Sequence, residues 1–328
     1  MTIASIGVIG GGAWGTALAQ VAADGGETLL WAREPEVVES INASHENRLF
    51  LPDVSLDPAL RATGDLAALA RCDTLLVVTP AQHMRAALRG LPPLDLPLIL
   101  CAKGMEETTA RLMHDVAREE QPGSPIAVLS GPTFAHEVAA RLPAAVTLAV
   151  EDRGLGEAIR ARIARPWFRP YLSDDVVGAE IGGAVKNVLA IACGVVEGRG
   201  LGQNARSALI SRGFAEMTRF GLARGARAET LAGLSGLGDL VLTCSSTSSR
   251  NFSLGKGLGE GRTAAELLAD RRTVAEGAYT APVLARAAAA DGVDMPIVSA
   301  VCALLAGEAG VDAVVERLLS RPLRAEGV

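Results

Sequence analysis

The chain carries 31 basic side chains, and only three of them are lysines: Lys103, Lys186 and Lys256. Arginine stays charged in any protein setting, whereas burial brings a lysine amine down towards neutrality, where it can exchange a proton. Lys186 lies in Gly182-Gly183-Ala184-Val185-Lys186-Asn187-Val188, inside an otherwise apolar stretch. A charge there either snorkels out or takes part in chemistry, and the glycine pair allows another element to come close. Lys103, in Cys101-Ala102-Lys103-Gly104, falls at the carboxyl end of a predicted strand, the edge where open α/β sheets bind ligands. Lys256, in Gly255-Lys256-Gly257, reads as an exposed loop or helix-end amine.

Asp239 stands between Leu234-Ser235-Gly236-Leu237-Gly238 and Leu240-Val241-Leu242. An acid in such a segment needs a partner. A lysine ammonium would serve, and so would a helix N-cap role. Ser248-Ser249-Arg250-Asn251 combines hydroxyl, guanidinium and amide donors. It has the composition of a phosphate clamp, with turn or capping duty as the plainer reading. Ser130-Gly131-Pro132-Thr133-Phe134 follows another predicted strand and offers backbone N–H groups and a hydroxyl at the same edge.

The first strand runs into Gly10-Gly11-Gly12-Ala13-Trp14-Gly15, a G-x-G-x-x-G opening an apolar helix. Gly10 permits the turn, Gly12 lets a pyrophosphate approach and Gly15 lets the helix pack on the strand. The free N–H groups of the helix start would meet the phosphate charge. The second strand ends in Ala32-Arg33-Glu34. An acid there accepts from the ribose of NAD, whereas an arginine pairs with the extra phosphate of NADP. Arg33 comes first, so NADP(H) is the expected cofactor, with NAD(H) tolerated.

Other chemistries find little support. The four histidines show no metal-ligand spacing, and H-E-x-x-H, G-x-S-x-G and a terminal Gly-Lys-Ser/Thr are missing. No metal site is expected. A net charge of −6 without an arginine-rich stripe argues against nucleic acid. Five scattered cysteines, with no C-x-x-C, suit buried thiols in a reducing compartment. The apolar start runs straight into the glycine loop without a basic flank, so it reads as a strand rather than a signal peptide. The apolar stretch 176–196 is interrupted by Glu180, Lys186 and Asn187. It reads as a buried helix, and no transmembrane segment is expected.

These residues need a scaffold, and the hydrophobic pattern supplies one. Ile3–Ile9, Thr28–Trp31, Thr74–Val78, Leu96–Cys101, Ile126–Leu129 and Val146–Val150 are continuous apolar runs, as in strands covered on both faces. A further short strand is expected around Phe168–Leu172. Helical spacing lies between them at 13–23, 36–44, 82–88, 107–119 and 155–163. The expectation is an α/β fold with a doubly wound Rossmann-type parallel sheet over 1–177 and a mainly α-helical second domain over 178–328. Its helices are predicted at 177–196, 205–220, 226–232, 264–269, 276–290, 296–305 and 311–318, with Pro296 marking a start and Gly221 and Gly292 marking ends.

Taken together the motifs resemble those of the NAD(P)-dependent glycerol-3-phosphate dehydrogenases, over nearly the whole chain. They are Gly10–Ala19 (GGGAWGTALA), Phe50-Leu51-Pro52, Lys103-Gly104, 129–135 (LSGPTFA), Gly183–Val188 (GAVKNV) and Ala205–Gly213 (ARSALISRG). Further on stand Gly236–Cys244 (GLGDLVLTC), Ser249-Arg250-Asn251 and 274–277 (VAEG). The resemblance implies reversible NAD(P)H-dependent reduction of dihydroxyacetone phosphate to glycerol 3-phosphate, feeding glycerophospholipid synthesis in the cytoplasm, and it is compatible with a homodimer. It makes Lys186 the proton donor and acceptor, with Asn187 and Asp239 in its polar network and Lys103 near the reacting centre. Gly131, Thr133, Ser249, Arg250 and Asn251 would contact substrate, the last three around its phosphate. Trp14, Arg33, Phe50, Lys103, Ala135, Arg250, Val274 and Glu276 would line the cofactor beside the glycine loop. Two departures stand out. Ala13 replaces a serine that many relatives carry, and Phe50 fills a position that is aromatic but often hydroxylated. The competing readings are a dehydrogenase of a hydroxy acid or ketopantoate, and a sensor that binds NAD(P)H without turnover.

Overall fold

The computed structural model describes residues 2–269, 275–320 and 322. Eight strands, β1 (Ile6–Ile9), β2 (Thr28–Trp31), β3 (Arg61–Thr63), β4 (Thr74–Val77), β5 (Leu98–Leu100), β6 (Ile126–Ser130), β7 (Ala144–Val150) and β8 (Phe168–Ser173), form one sheet in the order β3-β2-β1-β4-β5-β6-β7-β8. The order reverses between β1 and β4, which opens a crevice beyond their carboxyl ends. The register aligns Ile9 with Trp31 on one side and Val77 on the other, so the loops after these strands leave at one level.

The first-half helices are α1 (Ala13–Ala23), α2 (Pro35–Ser44), α3 (Ala81–Arg89), α4 (Met113–Glu120), α5 (Ala135–Ala139) and α6 (Arg153–Ile163). Ile6, Val8 and Leu30 share one apolar cluster with residues of α1, α2 and α6. Ile9, Leu75 and Val77 share another with residues of α3 and α4. Both faces of the sheet are therefore covered, which is why the strands read as unbroken apolar runs.

The sheet departs from a wholly parallel one at a single pairing. β7 runs antiparallel to β6 and parallel to β8. The connection after β6 contains only the five-residue α5, and β7 turns back against β6. β3 was not foreseen, being a three-residue edge strand that opens on Arg61. The helix expected over 107–119 begins only at Met113, because Met105 and Leu112 pair across a loop in which Ala110 has a φ of 56°.

The second half is helical: α7 (Val176–Gly198), α8 (Gly202–Ala223), α9 (Ala228–Leu231), α10 (Asp239–Cys244), α11 (Arg250–Gly259), α12 (Ala264–Leu267), α13 (Glu276–Ala290), α14 (Pro296–Leu305) and α15 (Val311–Leu319), with a π-helical turn at Leu234–Gly238. The expected division between 177 and 178 falls in the first turn of α7. Asp175 starts this helix by accepting from the Gly178 N–H at 2.7 Å and ties it to the loop before α9 through the Arg227 N–H at 2.8 Å. By length and composition α7 could cross a membrane, but 94% of its most apolar window is buried inside the protein. Gly292, with φ 67°, does follow a helix end, whereas Gly221 lies inside α8 and makes room for Leu231 instead. The cysteines are free; Cys101, Cys193 and Cys244 are buried, while Cys72 and Cys302 are half-exposed.

Candidate active site

Two walls face each other at the carboxyl edge of the sheet. From the sheet side comes Lys103, three residues beyond the end of β5, and Gly131, directly after β6. The helical side brings Lys186 and Asn187 from the middle of α7, and Asp239 as the first residue of α10. The fully buried Asp239 carboxylate binds both lysines, Lys186 Nζ to Oδ1 at 2.7 Å and Lys103 Nζ to Oδ2 at 2.6 Å. Lys103 also donates to the Gly131 carbonyl at 3.0 Å, and Lys186 to Thr243 Oγ1 at 2.8 Å. Asp239 is thus the partner of two amines rather than a helix cap.

The glycine pair in α7 explains how the walls meet. A side chain at Gly182 would run into the Ser235 carbonyl of the π-helical turn. One at Gly183 would lie 3.2 Å from Lys103 Cγ and 3.1 Å from Ser130 Oγ. Removing both Cβ atoms lets the turn that leads to Asp239 and the stem of Lys103 settle against one helix face. Four residues after Gly182, on the same face, stands Lys186.

Burial is the main influence on the Lys186 amine and brings it down to about 8, with Lys103 pushing the same way and Asp239 opposing. An amine poised there serves as an acid below that pH and as a base above it. Two ammonium groups on one carboxylate also leave the cleft net positive, which suits an anionic substrate.

A second chain of contacts continues from Lys186. Asn187 donates to the Lys103 carbonyl at 3.3 Å and accepts from Asn251 Nδ2 at 3.0 Å, and Asn251 Oδ1 accepts from the Gly277 N–H at 2.9 Å. Ser249 is buried and caps α11 by accepting from the Phe252 N–H at 3.2 Å. Arg250, the first residue of α11, is left exposed. So Ser249 and Asn251 have structural duties in this state, and Arg250 is the member of the trio free to reach an anion. Glu276 opens α13 and accepts from the Ala81 N–H at 3.4 Å; burial raises its carboxyl, while Arg250, Lys103 and Lys186 pull it down, which places it among them. Thr133, whose hydroxyl reaches the Gly131 carbonyl at 3.2 Å, and Ala135, the first residue of α5, follow β6 at this edge. Lys256 stands in the last turn of α11, half-exposed beside Glu260. Val274 lies outside the described residues.

The glycine loop sorts its three glycines by geometry. Gly10 has φ 124° and lies within 3.1 Å of the Val78 carbonyl, measured from a would-be Cβ. A methyl on Gly15 would overlap the Gly10 carbonyl, whereas one on Gly12 would meet nothing within 4 Å. The start of α1 has neither a side-chain cap nor an acid in its first turn. Open space at Gly12 beside uncapped N–H groups fits a pyrophosphate. Trp14 is half-buried, and its buried Nε1 has no protein partner. Phe50 is half-buried against the cluster beneath this loop. Arg33 lies at the far end, its side chain 78% exposed and bound to Glu34 Oε1 at 2.8 Å. Gly104 links the regions, since its would-be Cβ lies 2.9 Å from Ala81 Cβ and 3.3 Å from Thr280 Oγ1.

Sequence reasoning missed Thr243. The available signal was its spacing, four residues after Asp239 and hence on the same helix face. That spacing carries weight only once 239–244 is known to be helical.

Comparison with known proteins agrees with this architecture. Residues 5–155 match the family model of the NAD-dependent glycerol-3-phosphate dehydrogenase N-terminus, and residues 175–316 match that of its C-terminus. A glycerol-3-phosphate dehydrogenase (NAD(P)+) of Erythrobacter litoralis is 68% identical over 98% of both chains. One from Caulobacter vibrioides is 59% identical over 99% of this chain and all of the relative. Among solved structures, glycerol-3-phosphate dehydrogenase from Coxiella burnetii superposes with a TM-score of 0.93 at 37% identity, covering 97% of this chain and 99% of the other. With two family models spanning both halves and relatives of this identity, the chain belongs to the NAD-dependent glycerol-3-phosphate dehydrogenase family and is an NAD(P)-dependent oxidoreductase acting on a CH–OH group.

Proposed function

We propose that the protein reduces dihydroxyacetone phosphate to sn-glycerol 3-phosphate and reverses that reaction, with NADP(H) preferred and NAD(H) accepted. The carrying observation is the Lys186–Asp239–Lys103 cluster in a net positive cleft. When bound, the reduced nicotinamide supplies a hydride to C2 of the substrate. Lys186 gives its proton to the C2 oxygen as charge develops there, and Lys103 adds positive potential from the other side of Asp239. Asn187 holds the backbone of Lys103, and Asn251 fixes Asn187 in turn. In the reverse direction neutral Lys186 takes the proton from the hydroxyl. Ser249, Arg250 and Asn251 face the phosphate, with Arg250 as its charged partner, while Gly131 and Thr133 border the substrate. Gly10, Gly12, Ala13, Trp14, Gly15, Phe50, Ala135 and Glu276 line the coenzyme. Arg33 meets the 2′-phosphate by giving up its bond to Glu34.

The same reading places the enzyme in the cytoplasm, where free thiols persist, supplying glycerol 3-phosphate for phospholipids, and is compatible with a homodimer.

Steady-state assays with NADPH and NADH test the proposal. NADPH should be the better reductant of dihydroxyacetone phosphate, and Lys186→Ala should lower kcat by about 10²–10⁴-fold while coenzyme binding survives. Reduction by the unaltered enzyme should fall, and the reverse reaction rise, as pH passes through about 8. Near-normal turnover of Lys186→Ala would overturn the role of that amine, and a preference for NADH would overturn that of Arg33.

A further inference from the structure

Beneath the glycine loop lies Asn47, fully buried in the segment between α2 and β3. Its side-chain amide spans two regions of the chain. Nδ2 donates to the Gly11 carbonyl at 2.8 Å and to Thr16 Oγ1 at 2.7 Å, while Oδ1 accepts from the Phe50 N–H at 3.1 Å. The Thr16 hydroxyl, also fully buried, lies 3.3 Å from the same Gly11 carbonyl. The backbone at Asn47 is held as well, since its carbonyl accepts from the Leu51 N–H at 2.9 Å. Ala32 also closes on Gly11, its Cβ 2.5 Å from the place a Gly11 side chain would take.

The consequence follows from peptide geometry. The unit joining Gly11 to Gly12 is planar and trans, so its carbonyl and its N–H point in opposite directions. A Gly11 carbonyl drawn inward by Asn47 turns the Gly12 N–H outward, on the side where a Gly12 methyl would meet no protein atom. We infer that Asn47 is a positioning residue for the coenzyme: it sets the direction of the Gly12 N–H that receives the pyrophosphate, and it ties that setting to Phe50. The inference rests on the glycine loop being the pyrophosphate site. Asn47 itself touches neither substrate nor coenzyme. It acts through the backbone, and a buried amide with donors and acceptor all engaged holds one orientation.

Its signature is selective for ligands that carry a pyrophosphate. In Asn47→Ala the inhibition constant of ADP-ribose, which has that group, should rise by about tenfold, the size of one lost hydrogen bond. Adenosine 2′-phosphate, which has the adenosine end alone, should bind within about twofold of normal. The KM for NADPH should rise with ADP-ribose, while kcat at saturating coenzyme and the KM for dihydroxyacetone phosphate hold. Thr16→Val removes the hydroxyl that braces the amide and should show the same selectivity at about threefold; it decides the matter if Asn47→Ala folds poorly. Equal losses for the two inhibitors, or no loss, would overturn the inference. Gly12→Val separates the underlying reading. If it leaves ADP-ribose binding intact, the loop is not the pyrophosphate site; if it weakens ADP-ribose and the Asn47 and Thr16 variants do not, only the role of Asn47 fails.

Discussion

In the loop Gly10–Gly15, a methyl on Gly12 would meet no protein atom, whereas methyls on Gly194 or Gly198 of α7 would strike the backbone of α11, and those on Gly255 or Gly259 of α11 would strike that of α7. Both regions are rich in glycine. At Gly12 the missing Cβ leaves space that a ligand can enter. The α7–α11 crossing spends four of them on bringing two helix backbones together. That crossing fixes Lys186 and Asn187, on one helix, against Arg250 and Asn251, which start the other. Substitution at Gly12 should therefore damage binding, and substitution in the crossing should damage both folding and chemistry.

The sharpest break of this contrast is Gly255→Ala. Its methyl would overlap the Ile191 carbonyl, a backbone atom with nowhere to go. The overpacking should cost about 3 kcal/mol and lower kcat/KM by about a hundredfold through misplacement of Arg250 and Asn251. Thermal melting and steady-state kinetics would show both losses; a stable, fully active variant would mean that the two helices can separate without consequence. Gly12→Val should leave the melting temperature nearly unchanged and raise the KM for coenzyme by about tenfold or more, because it fills only the open space. A fall in stability equal to that of Gly255→Ala would erase the distinction. The smallest effect is expected from Ala13→Ser, which restores a hydroxyl beside the loop. Calorimetric titration should find coenzyme bound about two- to fivefold more tightly, as for one added neutral hydrogen bond; no change would show that the backbone N–H groups already satisfy the pyrophosphate.

Much of the scaffold was legible because it is local. The segment Thr28–Trp31 and the helices Ala13–Ala23, Glu276–Ala290 and Pro296–Leu305 have the bounds their periodicity gives. Their signals, an apolar run, a glycine before a helix or a proline at its first turn, act within a few residues. The reversal at β7 was not legible, since an apolar run has the same composition whichever way the strand is laid against its neighbour. Lys186 stood out as a charge in an apolar helix, and Asp239 as an acid in search of a partner. The family resemblance put Asp239 in the polar network of Lys186, but that one carboxylate binds both Lys186 and Lys103 could not be read from residues 53 and 136 positions away in the chain. Thr243 and Asn47 gave still less warning, being polar residues of ordinary type until packing buries them.

The sequence by itself determined seven of the eight strands, the glycine loop and the presence of a rare amine in an apolar helix, because backbone preference and hydrophobic period are properties of neighbouring residues. Tertiary structure alone decided which polar groups meet. The buried bonds from Asp239 to Lys186 and Lys103 require distant segments to arrive within about 3 Å of each other. In this protein that arrival depends on the glycines of α7 and α11, whose spacing is visible in the sequence but whose partners are not.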